Sequence, residues 1–299
     1  MNLPLDEVNW IPKKIVSDLK NEGVITLFDL VLMPTTLIQQ YNFEKEIIIM
    51  INKTRANFGH IEKANNIVGT KQNRIKVNTG SSELDLLLGG GIFSGRLTEV
   101  YGESGSGKTQ LCFQLCINYQ INSKNDKKII FVDTVGNFRP ERIAEMCGNE
   151  NNKDEIFKRI YTIRANTWTE QIDVLNKINR LTPNSVGLII IDTVTDNLVY
   201  EFQSEKKFTD RQVALSKHLH ELAITAIYRD IVVVITNTVR NRIPVNGKGY
   251  IIETGGKTIS HGVHLRLKLS KIDNGWSAQL NNKSIRFKIG KKGLMDWDS

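Results

Sequence analysis

The sequence predicts an α/β protein: a mostly parallel sheet with helices on both faces, an antiparallel C-terminal extension, and a small helical N-terminal domain. Three observations predict it. Between residues 97 and 236 strand-like apolar runs alternate with helical segments, the rhythm of parallel strands joined by crossover helices. Two runs, Val186-Gly187-Leu188-Ile189-Ile190-Ile191 and Ile231-Val232-Val233-Val234-Ile235, contain no polar side chain, as strands covered on both faces require. After residue 262 the pattern turns to alternation, first Val263, Leu265, Leu267, Leu269 and then Ile285, Phe287, Ile289, which marks antiparallel strands with one covered face.

In chain order, residues 1–58 read as short helices. Ile11, Ile15 and Leu19 recur at helical spacing up to Gly23; Leu27, Leu30 and Val31 precede Pro34; Ile47, Ile48 and Ile51 form a last stretch. Residues 59–79 are polar and irregular, with Ile75 and Val77 in a short strand, and suit a linker carrying an oligomerisation segment. The core is expected over 80–299. Its strands are Leu97 to Tyr101, Ile129 to Asp133, Ile160 to Ile163, Leu188 to Asp192 and Ile231 to Thr236, with helices near 110–121, 139–147, 169–180 and 211–229.

Composition narrows the class. The 299 residues are 40% hydrophobic and 24% charged, ordinary globular usage that excludes disordered and fibrous chains. No window is apolar enough to span a membrane, and the start Met1-Asn2-Leu3-Pro4-Leu5-Asp6-Glu7 is unlike a signal peptide, so a soluble, intracellular protein is expected. Cys112, Cys116 and Cys147 fit neither a disulfide framework nor a zinc site, and read as buried thiols. His218, His220 and His264 have no recognised ligand spacing. Net charge is +8, and residues 239–299, with 12 basic and 4 acidic side chains, hold all of that excess. A polyanion partner is therefore expected at that end.

The chemistry starts at Gly102-Glu103-Ser104-Gly105-Ser106-Gly107-Lys108-Thr109, which fits G-x-x-x-x-G-K-[ST] at every fixed position, with a strand before it and an apolar helix after it. Glycines let the chain wrap tightly, so that successive N–H groups and the helix N-terminus face a phosphate; Lys108 reaches the outer phosphates and the Thr109 hydroxyl is a Mg²⁺ ligand. The plain alternative is a glycine-rich turn without a ligand. A second acid, Asp192, ends the buried run Leu188 to Ile191 and is placed for the metal side of the site, or else caps the next turn.

Those residues, together with Thr79-Gly80-Ser81-Ser82-Glu83-Leu84-Asp85, Leu88-Gly89-Gly90-Gly91-Ile92, Gly95-Arg96-Leu97-Thr98-Glu99-Val100-Tyr101 and Gln110, closely resemble the RecA-like core of the archaeal and eukaryotic strand-exchange recombinases, the RadA type. The resemblance continues through Phe131-Val132-Asp133-Thr134, Phe138-Arg139-Pro140-Glu141-Arg142, Asp192-Thr193, Arg211-Gln212, Val234-Ile235-Thr236-Asn237 and Gly255-Gly256 to His261. It implies ATP and Mg²⁺ held by Gly102 to Gln110 with Asp192, and a filament-forming or filament-assisting protein acting on single-stranded DNA in recombinational repair. It also implies self-association or association with a RadA-type recombinase, no membrane, and an archaeal-type cytoplasm, or a nucleus if the source is eukaryotic. His261 is expected in a hydrogen-bond network between nucleotide and loops.

Three positions depart from the family pattern. Where the family carries a glutamate that polarises the attacking water, this chain has Val135; an isopropyl group cannot accept a proton, and a general base contributes about 10² to 10⁴ in rate. Slow or absent hydrolysis is expected, with Glu141 or Glu103 as the acids that could substitute. Thr238 stands in place of a glutamine that senses the γ-phosphate, and residues 246–254 lack the aspartate and prolines of the family's nucleotide-capping segment. The DNA-facing loops are expected at 196–211, with Lys206, Lys207 and Arg211, and at 239–258, with Arg240, Arg242, Lys248 and Lys257; such side chains neutralise backbone phosphates, or form a solvated basic face. Tyr200, Phe202, Phe208 and Tyr250 either stack bases or anchor the loops. Phe58-Gly59-His60-Ile61 is the nearest match to the family's polymerisation segment, and Phe58 is equally suited to packing on its own helices. Two further readings stand beside an ATP-binding paralogue: an active DNA-dependent strand-exchange ATPase, and a RecA-fold regulator of protein partners that binds no nucleic acid.

Overall fold

The computed structural model describes residues 3–21, 24–33, 38, 43–58, 74–122, 126–148, 153–179, 185–203, 207–242 and 250–298. The chain divides into two compact units, residues 1–73 with 175–183, and residues 74–174 with 184–299. No helix among the described residues is long and apolar enough to cross a membrane.

The smaller unit carries α1 (Lys13–Asn21), α2 (Leu27–Leu32) and α3 (Lys45–Phe58). Thr26 starts α2 as a capping box, its hydroxyl accepting the Asp29 N–H at 3.1 Å while the Asp29 carboxylate accepts the Thr26 N–H at 3.0 Å. Leu5, Leu19, Leu30, Ile47 and Ile51 form a core of their own, and burying those apolar faces is what makes helices this short stable.

The larger unit is built on a ten-stranded sheet. In chain order its strands are β3 (Arg96–Gly102), β4 (Lys128–Asp133), β5 (Ile160–Arg164), β6 (Val186–Asp192), β7 (Val232–Arg242), β8 (Tyr250–Glu253), β9 (Leu265–Ile272), β10 (Gly275–Leu280), β11 (Lys283–Gly290) and β12 (Gly293–Asp296). A separate pair, β1 (Lys76–Val77) and β2 (Ile92–Phe93), precedes them. The order across the sheet is β12-β11-β10-β9-β3-β7-β6-β4-β5, with β8 on β7. Pairs from β9 through β3, β7, β6 and β4 to β5 are parallel, and β9 to β12 run antiparallel. The predicted class is therefore the observed one. All seven residues of β6 are buried, as an apolar run covered on both faces demands.

The helices are α4 (Ser82–Leu87), α5 (Lys108–Asn122), α6 (Pro140–Cys147), α7 (Lys153–Arg159), α8 (Trp168–Asn179), α9 (Asp196–Glu201), α10 (Phe208–Arg229) and α11 (Gly256–Gly262). Leu111, Phe113, Leu115 and Cys116 of α5 join Phe131, Leu188, Ile190, Val232, Val234, Leu267 and Phe287 in the main core. Cys112, Cys116 and Cys147 are buried thiols, as expected.

Two regions differ from the sequence reading. The segment expected as a first loop holds α9 and the start of α10, so Arg211 lies in a helix. The second expected loop is partly strand: β7 runs on from Thr236 to Arg242 and pairs antiparallel with β8, Val239 opposite Glu253 and Arg242 opposite Tyr250. Polar residues hide this extension, because Thr-Asn-Thr-Val-Arg-Asn-Arg has no apolar run to signal a strand. Lys257 then sits exposed in the first turn of α11.

Candidate functional site

The parallel strands bring their C-terminal ends together, where ligands bind in open α/β sheets. Register places Gly102 of β3 beside Thr238 of β7, and Asp133 of β4 beside Asp192 of β6. The loop from Gly102 to Gly107 leaves β3 and enters α5 at Lys108. Its turn needs φ +77° at Gly105 and +95° at Gly107, values an L side chain rarely adopts. The wrap turns Lys108 inward: its ammonium donates to the Gly102 carbonyl at 2.9 Å and the Glu103 carbonyl at 2.7 Å. Ser106 is fully buried beside it.

Asp192 is 1% exposed. It accepts the Thr109 hydroxyl at 2.7 Å on one oxygen and the Thr236 hydroxyl on the other. Burial pushes its carboxyl above the ordinary range, opposed by those two hydroxyls and by Lys108; burial pushes the Lys108 amine down, opposed first by Asp192. A buried cation and a buried acid that hold each other's charge, with the Thr109 hydroxyl on the acid, suit a phosphate and a divalent ion. The donor set therefore fits a Mg²⁺–triphosphate. Gln110, in the first turn of α5, accepts from Arg142 Nε at 2.7 Å.

The peptide between Asp192 and Thr193 is cis. Around it the Thr134 hydroxyl donates to the Thr193 carbonyl at 2.9 Å and accepts the Thr193 N–H at 2.7 Å. Directly after comes the turn at 135–138. Asp133, 6% exposed, accepts four backbone N–H groups: Val135 at 3.2 Å, Gly136 at 2.6 Å, Asn137 at 3.0 Å and Phe138 at 3.2 Å. The turn is thus fixed by one carboxylate, and it presents Val135 with 36% of its surface exposed. Glu141 is exposed in the first turn of α6, and Glu103 is exposed on the phosphate loop.

A buried polar relay that the sequence reading missed runs from this site to the β7–β8 ribbon. Glu99 of β3 is fully buried; it accepts Arg266 Nε at 2.6 Å and Asn237 Nδ2 at 2.9 Å. Asn237 also donates to the Thr254 carbonyl at 2.9 Å and accepts the Thr195 hydroxyl at 2.9 Å. Arg266 bridges onward to Glu253 of β8. Burial pushes the Glu99 carboxyl up, with Arg266 the main opposing charge. Half of the signal was legible, an acid in the apolar strand Leu97-Thr98-Glu99-Val100, since buried charges are paired; its partner Arg266 takes an ordinary polar place in the alternation of Leu265, Leu267 and Leu269.

The basic residues expected at nucleic acid are spread. Arg211 lies over the Phe208 ring at 5.1 Å. Arg240 and Arg242 occupy the extended end of β7, and Lys257 is on α11. Lys206 and Lys248, and residues 59–61 of the expected polymerisation segment, fall outside the described residues. His218 is buried in α10, beside the Trp168 ring at 5.0 Å, and His261 is exposed in α11.

Comparison with known proteins gives the same frame. The family model Rad51 matches residues 70–297. "DNA repair and recombination protein RadA" of Aeropyrum pernix is 39% identical over 201 residues, covering 66% of this chain and 63% of that protein. The protein of the same name from Metallosphaera sedula is 34% identical over 202 residues, covering 66% and 62%. The matched region thus spans a little under two-thirds of these relatives. With a family match over most of its length, on the sheet that carries the phosphate loop, the chain belongs to the Rad51 family, the RecA-like recombinases of the RadA type.

Proposed function

We propose that this protein is an ATP-binding recombinase paralogue that takes part in homologous recombination and DNA repair, holds Mg²⁺–ATP with weak or no hydrolysis, and binds single-stranded DNA. The observation that carries the reading is the pairing of a complete phosphate loop with a fixed turn that offers Val135 where the family has its glutamate. In this reading Lys108 would exchange the Gly102 and Glu103 carbonyls for the outer phosphates, and Thr109 and Asp192 would hold the metal. The bound ion supplies charge neutralisation to the triphosphate. Nothing at Val135 orients water, and a neutral isopropyl group leaves the triphosphate intact.

The relatives named for DNA repair and recombination and the basic end of the chain support the nucleic-acid part of the reading. Arg211, Arg240, Arg242, Lys248 and Lys257 are its contacts, and a filament of this chain or of a full RadA-type recombinase is its partner. The test combines ATP turnover with DNA binding. We expect Mg²⁺–ATP binding with turnover at least about 100-fold below that of an active RadA measured alongside, and single-strand affinity that falls steeply with salt. Replacing Arg240 and Arg242 together by alanine should lower the log–log salt slope by about 1.4, two contacts' worth. Turnover within tenfold of the active enzyme would falsify the hydrolysis part; salt-independent binding would remove the DNA part and leave a regulator of protein partners.

A further inference from the structure

Resting on the reading that the loop binds ATP, we infer that Trp276 is a positioning residue for it: the hairpin β10–β11 braces the phosphate loop from outside and sets how tightly the loop holds a triphosphate. The Trp276 indole Nε1 donates to the Gly105 carbonyl at 3.1 Å, across 171 residues of sequence. Gly105 lies in the middle of the loop, and no atom beyond its chain neighbours lies within 4 Å of where a side chain would begin, so its carbonyl is the handle by which the loop can be held. When the N–H groups of a nest converge on a phosphate, the carbonyls face away. A rigid outside donor on such a carbonyl removes motion that ligand binding would otherwise have to freeze. An indole only donates, so the contact has one polarity.

Trp276 is itself held. Its ring stacks on the fully buried Phe287 with centroids 6.5 Å apart and planes 29° apart. The same hairpin makes a second contact through Ile289, whose Cδ1 lies 2.8 Å from where a Cβ on Gly107 would stand. It makes a third through Arg142, which joins Gln110 of α5 to the carbonyls of Gly290 at 2.6 Å and Lys291 at 3.1 Å. One hairpin therefore touches the middle of the loop and its last glycine, and is tied through Arg142 of α6 to the first turn of the helix the loop enters.

The experiment uses the full chain and Mg²⁺–ATP, with calorimetric titration and tryptophan emission as readouts. It compares wild type, W276F, W168F, and protein carrying benzothienylalanine at 276, which keeps the indole shape without its N–H. The dissociation constant should rise about fivefold to tenfold in W276F and in the benzothienyl protein, the size of one hydrogen bond, with an unchanged melting temperature in the latter. An ATP-dependent change in emission should appear in wild type and W168F and vanish in W276F. Unchanged affinity in the benzothienyl protein overturns the brace and leaves nucleotide binding standing, whether or not W276F weakens through lost packing. No ATP binding by wild type overturns both readings.

Discussion

The phosphate loop and the turn after β4 are two neighbouring structures built to the same standard. In the first, glycine geometry and the buried pair Lys108 and Asp192 fix a loop whose side chains and N–H groups suit a triphosphate. In the second, the Asp133 carboxylate gathers four N–H groups and holds the backbone as firmly. What the second presents is Val135. In the proposed reading scaffold and chemistry are separable: a fold keeps the platform for a reacting group while a single side chain decides whether any reaction takes place on it.

If the platform is intact, V135E should restore chemistry without new architecture. We expect ATP turnover to rise by about 10² to 10³ with nucleotide affinity within threefold of wild type, measured by phosphate release and titration. An inert V135E with normal affinity would mean that the turn lacks more than a carboxylate. On the other side, K108A removes two charge-assisted contacts and should weaken Mg²⁺–ATP by about 100-fold or more; a smaller loss would show that backbone N–H groups alone carry the site.

Acid limits where the two regions can be compared. Burial pushes the His218 imidazole down to about 4 from an ordinary 6.5. The unfolded chain therefore binds a proton that the folded chain refuses between those values. The contribution of neutral His218 to stability is full above about pH 6.5, and about 3 kcal/mol of it is lost as pH falls towards 4. Urea melts at pH 7.5 and 5 should show the loss, and H218L should flatten it. The smallest effect belongs to the turn: D133A strands its N–H groups and should cost about 2 kcal/mol in the same melts, whereas an unchanged midpoint would deny that the carboxylate braces anything.

The sequence displays the phosphate half of this contrast more openly than the rest of the molecule. Gly102 to Thr109 is a contiguous pattern, and the parallel strands are apolar runs, because both follow from local geometry and two-sided burial. The C-terminal meander is legible for the same reason: Leu267, Leu269, Ala278 and Phe287 are buried and their immediate neighbours along each strand are not. What stays hidden depends on partners far away in sequence. The β7 extension becomes strand only because β8 pairs with it. Asp133 reads as the end of a strand until its four N–H partners are seen. Glu99 meets Arg266 across 167 residues, and Trp276 meets Gly105 across 171; no window along the chain contains either pair.

Strand β7 has one more consequence. It holds Thr236 against Asp192 near its middle and carries Arg240 and Arg242 at its C-terminal end, up to six residues or about 20 Å away. A hydrogen-bonded strand has no slack to take up along its length. A displacement of Thr236 along the strand axis would therefore be carried to Arg240 and Arg242 with little damping, as by a rod where a flexible loop would be a spring.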